Sequence, residues 1–164
     1  MPKKTLLKIF AVLAVLAIGF ASFTTLGGDD TVSESAAGFP VVTGNAGEAP
    51  TITAPTGTPP TTLQTQDLIV GTGTEILPTS TLTVHYTLMA WSSGEILESS
   101  ISSGQPATFP LSGVIAGWQE GLPGAKVGGR RLLVIPPALG YGPSVGHPLE
   151  KETLIFVVDV IAVS

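Results

Sequence analysis

At 164 residues the chain is long enough for one compact domain and too short for two comfortable ones. Its formal net charge of −5 is unevenly placed: without Lys3, Lys4 and Lys8, four bases stand against twelve acids, a balance of −8. That leaves nothing to neutralise nucleic-acid phosphates, and the lack of any cysteine excludes a disulfide, a thiolate metal site, a cysteine nucleophile and a lipidated anchor.

The chain opens on a targeting pattern. Pro2-Lys3-Lys4 and Lys8 are a basic start, Ile9 to Phe23 is uncharged and mainly apolar, and Gly19-Phe20-Ala21 is a small-x-small site of the kind signal peptidases accept. The weakly apolar stretch continues to Gly28, long enough to span a bilayer as a retained anchor. Residues 1–26 therefore read as a cleaved signal peptide or an N-terminal membrane anchor. Either outcome exports the remainder, in agreement with the positive-inside bias, and the membrane is touched only through this segment.

Residues 27–62 are rich in Thr, Ser, Gly, Pro and Ala with few large apolar side chains, and read as a linker that buries too little to offset its ordering entropy. Within it Thr51-Ile52-Thr53 alternates as a short edge strand does, while Pro55, Pro59 and Pro60 keep the remainder extended.

From Leu63 onwards, residues 63–164 change to short alternating runs broken by turn residues, as a composition of 43% hydrophobic residues with 20 glycines and 14 prolines favours. Gln64 to Val70 predicts a strand closed by Gly71-Thr72-Gly73, a turn rather than a phosphate loop because neither a basic residue nor a long helix follows. Thr81 to Trp91 alternates, with Leu82, Val84, Tyr86, Leu88 and Ala90 on one face and Thr83, His85, Thr87 and Met89 on the other, so His85 is expected on the solvent side. Ser92-Ser93-Gly94 turns into Glu95–Glu98; a Ser/Gly-rich loop leads to a strand over Thr108–Leu111. Val114, Ile115, Trp118 and Leu122 fall at helical spacing, ended by Pro123-Gly124. Arg130 to Pro136 and Thr153 to Val163 complete the strands, the last with Leu154, Phe156, Val158 and Val160 on one face. The sum is an α+β fold, an antiparallel sheet with one short helix laid across it.

Two histidines and scattered acids make neither a metal cluster nor a nucleophile triad. Aromatic and aliphatic residues gather instead at turns and strand ends. Phe109 reads as plain core, whereas Trp118 and Tyr141 carry polar handles that need partners when buried, a property of residues lining pockets.

Val84-His85-Tyr86-Thr87, Gly94 through Leu97-Glu98-Ser99-Ser100 and Phe109-Pro110-Leu111 resemble the first half of the FKBP pattern. Val114-Ile115-Ala116-Gly117-Trp118-Gln119-Glu120-Gly121-Leu122 and Lys126-Val127-Gly128-Gly129-Arg130-Arg131-Leu132 resemble its centre. Ile135-Pro136, Gly140-Tyr141-Gly142, Gly146-His147-Pro148 and Thr153-Leu154-Ile155-Phe156 complete it, in order, from about Leu63 to Ser164.

The resemblance implies a peptidyl-prolyl cis-trans isomerase with a half-barrel sheet wrapped around the helix and a shallow apolar pocket between them. By position it makes Trp118 the floor and Tyr86 and Phe156 the walls. The Ile115 N–H and the Tyr141 hydroxyl would bond the carbonyls flanking the substrate proline. Glu98 would bond on the Tyr141 side, Val114 and Leu97 would add substrate contact, and His147 would sit in a flap over the mouth. It also implies proline-containing polypeptides as substrates, FK506- and rapamycin-like macrolides as ligands, and no cofactor. The chain departs from the family pattern at Leu97-Glu98, at Ala107 and in the shorter, charged Leu149-Glu150-Lys151-Glu152, which predicts a more open and less apolar pocket. A module that grips proline-containing segments with little turnover, and a purely structural envelope domain, are the alternatives.

Overall fold

The computed structural model describes residues 39–164; the expected export segment and the first part of the expected linker lie outside the described residues. Four strands carry the main sheet: β3 (Gln64–Ile69), β4 (Thr81–Ala90), β7 (Arg130–Ile135) and β8 (Leu154–Val163). With β5 (Ile96–Ser99) they run in the order β3-β7-β8-β4-β5, and β6 (Ala107–Pro110) pairs with the first half of β4; every pairing is antiparallel. A hairpin of β1 (Val42–Thr43) and β2 (Thr51–Ile52) stands apart as a second, two-stranded sheet. The helices are short: α1 (Ser100–Ser103) and α2 (Ala116–Gly121).

The register across β7, β8 and β4 explains how both faces are used. Ile135–Leu154–Ala90, Leu133–Phe156–Leu88 and Arg131–Val158–Tyr86 are rows of directly opposed residues, and so share the front face that α2 covers. Val134–Ile155–Met89, Leu132–Val157–Thr87 and Arg130–Asp159–His85 form the rows of the back face. Front and back each bury their own apolar cluster, so the alternation expected for β4 holds in direction while its second face is also covered. Met89 and Thr87 are buried there, and His85 is half-buried, with Nδ1 3.0 Å from the Ser100 hydroxyl, where the sequence predicted solvent.

The β1–β2 hairpin supplies the cover. Val42 and Ile52 pack against Met89, Trp91, Leu132, Val134, Ile155 and Val157. Its loop is clamped by Arg130, only 1% exposed, which donates to the Gly44 carbonyl at 2.9 Å and the Glu48 carbonyl at 2.7 Å while pairing with Asp159 at 2.5 and 2.7 Å. Asp159 in turn accepts the Gly47 N–H at 2.8 Å. The described part of the expected linker therefore holds a short paired hairpin, anchored by Val42 and Ile52 and clamped by a buried charge pair, with most of its other residues exposed.

On the front, α2 comes down close to the sheet because its inward positions are glycines. A Cβ on Gly117 would lie 2.5 Å from Ile135 Cγ2, and one on Gly121 would lie 2.6 Å from Leu133 Cδ2. The helix is shorter than the apolar spacing predicts: Val114 and Ile115 precede it in extended conformation, with Ile115 as its N-cap. Arg131 reaches over to its far end, donating to the Gly121 and Pro123 carbonyls at 2.9 and 3.1 Å while pairing with Asp67 at 2.6 Å. Such a bond satisfies carbonyls that a helix C-terminus leaves open.

Candidate active site

Trp118 lies in the middle of α2, 4% exposed, and three aromatic rings meet its ring nearly edge-on. The centroid distances are 5.8 Å to Tyr86, 6.0 Å to Phe109 and 5.3 Å to Phe156, at interplanar angles of 81°, 85° and 84°. Edge-to-face pairs of this kind contribute about 0.5–1.5 kcal/mol each beyond area burial, so the four rings fix one another. The Trp118 Nε1–H is buried and finds no acceptor among the described residues. Ordinary cores avoid an orphaned donor; a pocket floor accommodates one.

Beside these rings opens a cavity of about 290 Å³. Leu88, Gly113, Val114 and Ile115 complete its apolar lining, and Glu98 and Tyr141 bring the polar atoms. Glu98 stands opposite Leu88 in the β4–β5 pairing and so faces the front. Its carboxylate accepts a short hydrogen bond from the Tyr86 hydroxyl. Burial first, and then that carboxylate, push the Tyr86 phenol well above its ordinary pKa, so it stays a protonated donor. Glu98 is thus committed to Tyr86, where the resemblance had set it on the Tyr141 side; β5 delivers it next to Tyr86 because that strand pairs with β4.

Two donors at the cavity remain free. The Val114 carbonyl accepts the Gln119 side chain at 2.7 Å, and the Ile115 carbonyl accepts the Trp118 N–H at 3.0 Å. The Ile115 N–H itself has no acceptor among the described residues. Tyr141 follows the 3-10 turn Pro137–Leu139, and among the described residues its hydroxyl makes no hydrogen bond, its electrostatic neighbour being Tyr86. An N–H and an O–H beside a dry aromatic wall suit two carbonyls of an extended peptide.

The structure therefore brings Tyr86, Glu98, Val114, Ile115, Trp118, Tyr141 and Phe156 to one cavity. Leu97 and His147 do not line it. Leu97 is the extra residue where Glu98 pairs with Leu88 and Ile96 with Met89, and this bulge turns its side chain outward, 43% exposed. His147 stacks flat on the Tyr141 ring, with centroids 4.0 Å apart and planes 8° apart. Phe109, expected as plain core, lines the cavity; its half-burial alternating with exposed neighbours along β6 is the signal that sets it apart from a true core residue. A second hollow of about 280 Å³ lies by β3 and β7, but its charges are spent on one another, Arg131 on Asp67 at 2.6 Å and Lys126 on Glu75 at 3.9 Å.

A fold of this topology with an aromatic pocket that lacks acid–base machinery fits one family in particular. The family model described as FKBP-type peptidyl-prolyl cis-trans isomerase matches residues 73–161. A Corynebacterium glutamicum protein named "Probable FK506-binding protein" is 50% identical over 116 residues, 70% of this chain and 98% of that one. An "FK506-binding protein" of Streptomyces anulatus is 42% identical over 121 residues, 71% of this chain and 98% of that one. The crystal structure of FkpA from Escherichia coli superposes with a TM-score of 0.57 at 38% identity, over 62% of this chain and 48% of that longer one. The chain belongs to the FKBP-type peptidyl-prolyl cis-trans isomerase family. Its enzyme class is accordingly peptidyl-prolyl cis-trans isomerase; its fold is the antiparallel α+β arrangement that the alternation along the sequence predicts, with the half-barrel form that the resemblance implies.

Proposed function

We propose that the chain turns X-Pro bonds of exported polypeptides between cis and trans outside the cytoplasmic membrane, with the Trp118 cavity as its active site. The observation that carries this reading is the pairing of an apolar aromatic wall with two uncommitted donors, the Ile115 N–H and the Tyr141 hydroxyl. Rotation about the X-Pro amide faces a barrier of about 18–20 kcal/mol from the double-bond character of C–N. The twisted transition state has lost that resonance and is less polar than the planar amide. A cavity walled by Tyr86, Phe109, Trp118 and Phe156 favours it relative to water without acid, base or cofactor. Each factor of ten in rate asks for only about 1.4 kcal/mol of such selectivity.

Tyr86, Glu98, Trp118, Tyr141 and Phe156 form the catalytic surface in this reading, and Val114 and Ile115 hold the chain on either side of the proline. Exposed Leu97 serves at most the flanking peptide. The same wall takes FK506- and rapamycin-like macrolides, whose recognition asks for an apolar pocket with donors at its rim. Export rests on the basic start and apolar run of residues 1–26; among the described residues no helix is long and apolar enough to cross a membrane. A protease-coupled assay on an X-Pro tetrapeptide is the test: acceleration inhibited by FK506 supports the reading. A pocket that binds FK506 without accelerating the peptide returns the chain to the binding-module alternative.

A further inference from the structure

The Ile115 N–H and the Val114 carbonyl are the two edges of one amide. No described peptide bond is cis, so they point in opposite directions from a plane that resonance keeps flat. Whatever grips the carbonyl therefore sets the direction of the N–H. Among the described residues that grip is a side chain: Gln119 Nε2–H donates to the Val114 carbonyl at 2.7 Å. The backbone on either side is held by other means. The Val114 N–H donates to the Leu111 carbonyl at a long 3.5 Å, and the Ile115 carbonyl accepts the Trp118 and Gln119 N–H groups at 3.0 and 3.3 Å. The amide between them has no backbone partner at either edge among the described residues. Its place at the start of α2 explains why the donor is left over. Ile115 is the N-cap, with φ −58° and ψ 151°, and no side chain caps the helix. In a capping box a Glu or Gln at the third helical position folds back and satisfies the N-cap N–H. Here that position is Trp118, which is committed to the core, and the Gln comes one residue later. From there it takes the opposite edge of the same amide, and the N–H stays open to the cavity.

We propose that Gln119 is a positioning residue for the isomerase reaction, which aims the Ile115 N–H at a substrate carbonyl and strengthens it as a donor. The proposal rests on the active-site reading of that N–H. A complete flip of the amide is closed, because it would carry φ of Ile115 to positive values that a β-branched residue rarely adopts. What remains is wobble about ψ of Val114 and φ of Ile115, and the side-chain bond damps it. Gln119 is exposed, so water reaches the same carbonyl when the side chain is cut back. A water is not anchored to α2, however, and leaves the direction of the plane free. The stem of Gln119 is anchored, because its own N–H is bonded to the Ile115 carbonyl at 3.3 Å. Side chain and backbone of one residue thus close a ring around the amide. An amide whose carbonyl accepts is also the stronger donor, by about 10–30% per bond. Both effects act on one polar group of the pocket and leave the aromatic wall alone.

Two variants of the full chain separate the donor from the shape. Gln119→Met keeps the length of the side chain and has no N–H to give. Gln119→Glu keeps the outline, and at about pH 7.5 its carboxylate accepts but cannot donate. Backbone amide relaxation by NMR should give the parental Ile115 N–H an order parameter of about 0.85, as rigid backbone has, falling towards about 0.6 in both variants. The Leu122 N–H, bonded to the Trp118 carbonyl at 3.0 Å, should stay rigid throughout and serves as the control. In the peptide assay kcat/KM should fall by about three- to tenfold in both variants, the factor one net hydrogen bond is worth. Melting should stay at the parental temperature, because Gln119 lies on the exposed side of α2. Parental order at Ile115 in Gln119→Met overturns the proposal. Parental order in Gln119→Glu alone overturns it as well, because the outline of the side chain rather than its donor is then responsible. So does parental kcat/KM beside a loosened Ile115, or a fall in melting that accounts for the lost activity. A parent without peptide turnover, whose Ile115 still loosens in both variants, leaves the tether standing and sinks the active-site reading instead.

Discussion

Replacing Arg130 with Met removes the guanidinium that pairs with Asp159 on the back of the sheet. Four hydrogen bonds go with it: two to Asp159 at 2.5 and 2.7 Å, and one each to the Gly44 and Glu48 carbonyls at 2.9 and 2.7 Å. The carbonyls belong to an exposed loop and return to water at little cost. Asp159 does not: it is 4% exposed and, among the described residues, keeps only the Gly47 N–H. Stranding one partner of a buried pair costs about 3–5 kcal/mol, which for a folded unit of this size is a fall in Tm of about 10–20 °C. The double variant Arg130→Met/Asp159→Leu strands nothing, and apolar replacement of a whole buried pair is often neutral, so it should recover to within about 1–2 kcal/mol of the parent. Circular dichroism melts measure both. Hydrogen exchange of the Thr53 N–H, which donates to the Val41 carbonyl at 2.8 Å, should still report a loosened hairpin in the double variant. Isomerase rates measured well below the melts should match the parent, because the pair lies on the face opposite the pocket. A single variant melting with the parent, or a double variant no better than the single, would refute the account of the pair.

Tyr141→Phe removes only an oxygen that makes no hydrogen bond among the described residues, so ligand affinity and turnover should drop by roughly the 0.5–1.5 kcal/mol of one net hydrogen bond while melting barely moves; lowered melting with parental turnover would make the hydroxyl structural. Trp118→Ala should abolish most macrolide and substrate binding and cost about 3–5 kcal/mol in stability, read by titration calorimetry and urea denaturation, with parental binding removing Trp118 from the site. Exported material should begin near Ser22 without Lys3, Lys4 and Lys8; an intact mass of the full chain in membranes would mean a retained anchor.

Where a side chain's surroundings come from its own strand, the sequence was readable. Alternation set Tyr86 with Leu82, Val84 and Leu88 on one face of β4 and Phe156 with Leu154, Val158 and Val160 on one face of β8, the resemblance brought the two together, and the turn residues after β7 placed Tyr141 beyond a strand end. Three features depend on contacts that leave no periodic trace. The hairpin at 42–52 is held by backbone carbonyls gripping a distant guanidinium, and any residue type presents a carbonyl. α1 is four residues capped by Ser99, too short for an apolar face. The outward turn of Leu97 follows from a bulge defined only by pairing with β4. His147 lies between these cases: the resemblance set a loop histidine in the flap, but its flat stack on Tyr141 left no trace in the sequence.

The pocket's one carboxylate bears most directly on the departures from the family pattern. A free anion beside the substrate would favour the planar amide, whose nitrogen is electron-poor, over the twisted form that recovers its lone pair. That works against catalysis. Glu98, a methylene longer than the family's usual Asp, would be such an anion if its charge pointed into the cavity unpaired. It does not, because Tyr86 donates to it, and desolvation together with that carboxylate keeps the phenol protonated. β5 holds Glu98 opposite Leu88 and within reach of the Tyr86 hydroxyl. The charge is therefore tied to the wall as an acceptor, and the Ile115 N–H and Tyr141 hydroxyl are left as the cavity's donors without a hydrogen bond among the described residues, beside an apolar surface.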